Sequence, residues 1–173
     1  LIEPGHPARP GTMFDANGHA LAAAATDAGA EVFRVSAVPD DARHLRGLLE
    51  DQLMRADLIL TTGGLSYGSG NTVRQVLSDM GDVRFDRVAA WPGNTLGIGT
   101  VGADQDRPTP VFCLPGDPVS AQVCFEVYVR PALRKMQGWS KVNRSAVKAS
   151  VNRGWHSPEG RREFVRVRLT GSP

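Results

Sequence analysis

Short apolar runs alternating with amphipathic stretches predict an α/β protein built on a doubly wound, mostly parallel sheet. Two observations carry that prediction. The runs at residues 58–62 and 111–114 are too short for helices and apolar at successive positions, as internal parallel strands are. Each leads through a glycine- or proline-rich turn into a stretch with helical spacing. The bulk numbers agree: 173 residues, 41% hydrophobic and 22% charged, suit one domain with a proper core and part of a second.

The elements follow in order. Residues 1–12 are rich in Pro and Gly and read as an extended lead-in. A helix is expected over residues 17–28, stopped by Gly29. Residues 31–37 alternate and carry Val32, Phe33 and Val35, so they read as a strand. Asp40 or Asp41 caps a helix that runs to about Arg55, with Leu45, Leu48, Leu49 and Leu53 on one face. Residues 58–62 form a strand, and Asn71 caps a helix ending near Met80 and Gly81. Strands are expected at 83–89, 96–101 and 111–114. Asp117-Pro118 then caps a nearly all-apolar helix reaching Met136, which Pro131 should kink or interrupt. Beyond Gly138 the period changes: residues 145–151 and 163–169 alternate around Ser157-Pro-Glu-Gly160, which is hairpin-like.

Composition removes several classes of function. A net charge of +2 gives no general case for nucleic-acid binding. No apolar run approaches the ~20 residues of a membrane span, and no signal peptide is visible, so a cytoplasmic location is the default. Cys113 and Cys124 lie in apolar surroundings and are expected as buried free thiols. The four histidines are scattered without metal-ligand spacing, and no Ser/His/Asp set has a nucleophile-elbow context. Arg161-Arg162 reads as a solvated turn.

The most informative stretch is Thr61-Thr-Gly-Gly-Leu-Ser-Tyr-Gly68-Ser-Gly-Asn71. A glycine turn between strand and helix leaves backbone N–H groups unpaired where the helix dipole adds partial positive charge. That corner suits a phosphate or another oxyanion, though it reads equally well as a plain tight connection. It is not a Walker loop, because Ser69 stands where lysine is required. It is not a dinucleotide fingerprint either, because Val73 replaces the third glycine.

The loop resembles the molybdopterin-binding segment of the MoeA and gephyrin E-domain family. The resemblance continues at Gly11-Thr-Met-Phe-Asp15-Ala-Asn17, at Val38-Pro-Asp40-Asp41, at Trp91-Pro-Gly-Asn94 and most clearly at Leu114-Pro-Gly-Asp117-Pro-Val-Ser-Ala121. It implies a molybdopterin-binding-like α/β domain over residues 1–138 and the start of a small C-terminal β domain over 139–173. The family's preceding domains are not in this sequence, Leu1 is not a native start and Pro173 falls before a β-barrel could close, so a fragment of a longer protein is expected.

The resemblance also implies a function: insertion of molybdenum into molybdopterin or its adenylated form, with molybdate as second substrate and Mg²⁺ as cofactor. Gly63, Gly64, Ser66, Gly68 and Asn71 would bind the pterin on one side, and Pro115, Gly116, Asp117, Pro118 and Ser120 on the other. Asp15, Asp40, Asn71 and Arg87 fall at positions the family uses for the reaction, with Asp40 the position for Mg²⁺. Asp15 reads equally as a turn residue, and Asp40 equally as a helix cap. The departures weaken the charge pattern, except at Arg87, which keeps its charge and changes its shape. Asn71 stands at an acidic position and cannot serve as a charged ligand or general base. Arg87 replaces a lysine, Trp91 and Asn94 replace two more, and Asp117 adds a carboxylate. Anion contacts near a protein surface are worth ~1–4 kcal/mol each, so these changes bear directly on rate and binding. A second implication is therefore a gephyrin-like paralogue, a homodimeric scaffold that binds a partner peptide of a receptor or cytoskeletal protein. A MogA-type adenylyltransferase is a third, less favoured by the Pro39-Asp-Asp string and the alternating tail.

Overall fold

A computed structural model describes residues 1–65, 71–102 and 107–170. The chain runs α1 (Ala16–Asp27), α2 (Ala42–Leu53), β1 (Ile59–Thr62), α3 (Thr72–Met80), β2 (Gly81–Arg87), β3 (Ala90–Trp91), β4 (Thr95–Val101), β5 (Thr109–Leu114) and α4 (Pro118–Cys124). A π-helical turn (Phe125–Val129) joins α4 to α5 (Arg130–Met136), and β6 (Arg162–Glu163) follows much later.

The α/β class holds. Four strands form one sheet in the order β1-β5-β4-β2. β1 and β5 are parallel, whereas β4 runs antiparallel to both β5 and β2, so the sheet is mixed. Connection length explains the mixture. Parallel neighbours need a crossover of about a dozen residues or more, which the short links from Arg87 to Thr95 and from Val101 to Thr109 do not supply. The α3 passage between β1 and the rest of the sheet does supply one.

β5 is the keystone because both of its faces are covered. Phe112 and Leu114 point into a core with Leu21, Leu96, Ala121, Phe125, Val129 and Leu133, under α1 and the α4–α5 rod. Val111 and Cys113 point the other way, into Leu45, Leu49, Ile59, Val76 and Leu77 under α2 and α3. The period-two alternation of a strand makes this division automatic. Each fully buried large side chain, such as Phe125 or Leu77, contributes about 1.5–3 kcal/mol by leaving water.

Two local expectations are corrected, and a third takes a specific form. Residues 31–37 make no strand ladder; Phe33 lies under the Arg55 guanidinium at 5.0 Å, and Arg34 turns toward Glu3 and Asp15. Pro131 interrupts the α-helical hydrogen bonds, as expected, without ending the rod. The turn before it widens, so that the Arg130 N–H bonds back to the Phe125 carbonyl in π-helical fashion, which accommodates a residue that has no N–H to give. In the C-terminal stretch, residues 145–151 carry no strand pairing, and β6 pairs in parallel with β3 instead of closing a hairpin. Cys113 and Cys124 are buried free thiols as expected.

Candidate functional site

Parallel pairing of β1 and β5 aligns Thr62 with Leu114, so the turns that follow both strands leave from the same edge of the sheet. They then touch. The Gly63 N–H donates to the Leu114 carbonyl at 3.0 Å, and a Cβ on Gly116 would sit 3.4 Å from Gly63 Cα. Gly63 and Gly64 both have positive φ, +84° and +68°, which side chains disfavour. A Cβ on Gly64 would also lie 2.5 Å from Val73 Cγ2, so that glycine lets the turn lie against α3.

Asn17, in the first turn of α1, ties both turns to the lead-in. Its Nδ2 donates to Thr62 Oγ1 at 2.9 Å and to the Gly116 carbonyl at 2.8 Å. Thr62 Oγ1 in turn donates to the Pro115 carbonyl at 2.9 Å. Sequence reasoning used Asn17 as part of a motif and gave it no role at the site. Its signal was the Asp15-Ala-Asn17 string, in which the aspartate caps the helix and the amide faces the sheet.

The expected site residues divide by what the structure has them do. Asp15 is buried and fully employed: Oδ1 accepts from the Gly18 N–H at 2.9 Å, capping α1, and Oδ2 lies 3.3 Å from Arg34 Nη1. Asp40 is exposed, and Asp41 takes the cap of α2 by accepting from the His44 N–H at 2.6 Å. Asn71 occupies the N-cap position of α3, but its side chain makes no capping bond; its carbonyl takes the Gln75 N–H. Ser66 and Gly68 lie outside the described residues. Pro115 and Gly116 form the second turn, and Pro118 opens α4. Arg87 ends β2 opposite Thr95, on an exposed strand end.

Asp117 sets the chemistry of the second turn. Its Oδ2 accepts from the Ser120 N–H at 2.8 Å, and the Ser120 side chain and backbone together hold its carboxyl below the usual carboxylate range. A helix start that would attract an oxyanion already carries a carboxylate on one of its N–H groups. The cap favours folding and opposes anions.

Beside this turn lies the Trp91–Asn94 segment. A Cβ on Gly93 would lie 3.4 Å from the Ser120 carbonyl oxygen and 2.6 Å from Cys124 Sγ, so the segment packs along α4. The C-terminal stretch reaches this wall. The Phe164 N–H donates to the Trp91 carbonyl at 2.7 Å and the Arg162 N–H to that of Ala89 at 2.9 Å. This places the Arg161 guanidinium 5.3 Å from the Trp91 ring centre. Arg161 is exposed just after the Glu159-Gly160 turn, as expected, and tertiary pairing with β3 also sets it over an aromatic face.

The site offers no metal cage. Among the described residues no group of three His, Cys, Asp or Glu side chains converges, and both oxygens of Asp15 are engaged. The thiols are no nucleophiles either, because burial pushes Cys113 and Cys124 up to about 11. The edge thus carries the Thr62 and Ser120 hydroxyls, the Asn71 amide and, beside the second turn, a guanidinium stacked on Trp91.

Such an edge, with two turns meeting at the carboxyl ends of parallel strands, defines a small-ligand-binding α/β domain. The chain belongs to the family described as "Probable molybdopterin binding domain", which it matches over residues 3–135. It is 41% identical over 159 residues to molybdopterin molybdenumtransferase 1 of Mycobacterium tuberculosis, covering 92% of this chain and 37% of that one. Molybdopterin molybdenumtransferase 2 of the same organism is 38% identical over 175 residues, covering 98% and 42%. The solved structure of the molybdopterin biosynthesis MoeA protein of Pyrococcus horikosii superposes with a TM-score of 0.67 at 31% identity, over 79% of this chain and 32% of that one. The chain thus spans about two fifths of the length of the curated relatives it matches. Among the described residues no helix is long and apolar enough to cross a membrane.

Proposed function

We propose that this chain is the pterin-binding part of a molybdopterin molybdenumtransferase, with molybdopterin, or its adenylated form, held where the β1 and β5 turns meet. The observation that carries this reading is the Asn17–Thr62–Pro115 hydrogen-bond relay, which joins the lead-in and both turns into one edge. In this reading Gly63, Gly64 and Gly116 let backbone donors approach the ligand, the Asn71 amide contacts it, and Ser120 lines the second turn. Arg161 on Trp91 supplies a cation beside that turn, on the wall where the family pattern has lysines that this sequence lacks. Molybdate is the second substrate. The assembly is a homodimer in the cytoplasm.

Asp40, exposed at the start of α2, is the carboxylate that would hold Mg²⁺ together with the ligand's own phosphate. The chain's own groups bind and orient the anionic ligand, and Asp117 limits how strongly they do so. The similar proteins of Mycobacterium tuberculosis and Haemophilus influenzae are molybdenumtransferases, which favours this reading over a partner-peptide scaffold. The test is equilibrium binding of adenylated molybdopterin to the chain, followed by a molybdenum-insertion assay with molybdate on a protein that carries it. Binding in the micromolar range or tighter supports the reading. Absence of binding at millimolar ligand overturns it.

A further inference from the structure

The stretch after α5 is held in a way that a loose linker would not be. Trp139 donates its backbone N–H to the Arg134 carbonyl at 3.0 Å and lies 4.5 Å from the Arg134 guanidinium. Gln137, just before it, donates from Nε2 to the Ala28 carbonyl at 3.1 Å, which anchors the end of α5 on the end of α1. Farther on, the Val142 carbonyl accepts from Nη1 of Arg130, a residue only 8% exposed, at 3.2 Å. Arg144 then closes the stretch with a two-pronged contact to Glu126, 2.7 Å from Nε to Oε2 and 2.8 Å from Nη2 to Oε1. Its Nη2 also lies 3.7 Å from Asp27 Oδ2. Glu126 sits in the π turn, between Arg130 and Arg144, and faces both.

We propose that residues 139–144 form a strap latched to the α/β body by Arg144 on Glu126, so that an ionic contact which salt can open sets the direction in which the chain leaves the body. The fork-to-fork geometry of a guanidinium on a carboxylate fixes orientation as well as distance. The latch does little for the docking of β6 on β3 through tether length alone, because loop-closure entropy grows only with the logarithm of length. Its effect is on exit direction and local opening. Arg144 and Glu126 are both solvent-accessible, with side chains 58% and 38% exposed, so the contact is a modest one that screening weakens.

The latch is tested by limited trypsin digestion of the intact chain, following cleavage after the exposed Lys141 by mass spectrometry. Glu126→Gln and Arg144→Gln should each speed that cleavage about threefold to tenfold. The double variant should be slower than the product of the two single effects, since both remove the Arg144–Glu126 contact. Raising salt to about 1 M should bring the unmodified chain toward the rate of the variants and leave theirs unchanged. Arg144→Gln alters a surface side chain only and decides the matter if Glu126→Gln melts early by losing its contact with Arg130. Unchanged Lys141 cleavage in Arg144→Gln, or effects of the two substitutions that simply add, would overturn the latch.

Discussion

Asn17 Nδ2 lies 2.9 Å from Thr62 Oγ1, and the same nitrogen lies 2.8 Å from the Gly116 carbonyl. One amide thus holds the ends of β1 and β5 at a fixed spacing from α1. An edge pinned in this way is ready for a ligand before one arrives, and the ordering entropy is met during folding instead of during binding.

Asn17→Ala removes two donated bonds and leaves the Gly116 carbonyl without that donor. Thermal melts should show a loss of about 1–2 kcal/mol, and affinity for the adenylated pterin should fall further than that stability change implies. Asn17→Asp keeps the shape but cannot donate to either oxygen, so it should bind no better than the alanine variant. Full binding by Asn17→Asp would show that the relay does not organise the edge.

Gly64→Ala confronts a positive φ of +68° and a Val73 methyl 2.5 Å from the new carbon. Denaturant unfolding should show a loss of about 1–3 kcal/mol. Pairing it with Val73→Ala should recover only part of the steric cost, since the Val73 Cβ stays 2.9 Å away, and should leave the backbone part. An alanine at 64 with unaltered stability would mean that the turn is not held against α3.

Glu3 gives a pH signature. Hydrogen bonds from Arg34 and then His19 hold its carboxyl down to about 2 from the ordinary 4.5. A carboxyl lowered on folding adds stability above its unfolded pKa and loses that contribution as pH falls through the folded one. The melting temperature of the unmodified chain should therefore exceed that of Glu3→Gln at neutral pH. The two curves should converge between pH ~4.5 and pH ~2. A difference that stays constant across that window would remove the ion cluster as its cause.

Some of this was legible in the sequence because its causes are local. β1, β5 and their turns announce themselves through apolar runs, glycines and the Asp117-Pro118 cap, all decided within a few residues. The orientation of β4 was missed because it depends on connection lengths, not on the strand's own pattern. Residues 31–37 alternate convincingly, yet Arg34 answers to Glu3 and Asp15, which lie far off in sequence. Asn71 was placed correctly at the start of α3, but the lack of a capping bond from its side chain depends on a backbone with φ −103° and ψ 28°. Arg161 could not be joined to Trp91 from composition, because pairing between β3 and β6 spans most of the second half of the chain.

Asp117→Asn tests the electrostatic side of the account. Asparagine caps a helix about as well as aspartate, so melting at neutral pH should move by less than about 1 kcal/mol. Removing the carboxylate beside the Ser120 N–H should tighten binding of the anionic pterin about tenfold at low salt. The gain should shrink as salt rises. Binding that stays the same or weakens would place the ligand's charge away from the second turn.

The central claim is that the two turns form a single ligand site. The most direct measurement is a titration of the isotopically labelled chain with adenylated molybdopterin, following backbone amide resonances by NMR. The account predicts that Gly63 and Gly64 in the first turn shift together with Gly116 and Ser120 in the second, along one binding curve and with one dissociation constant. Shifts confined to one turn, or to residues remote from both, would contradict it.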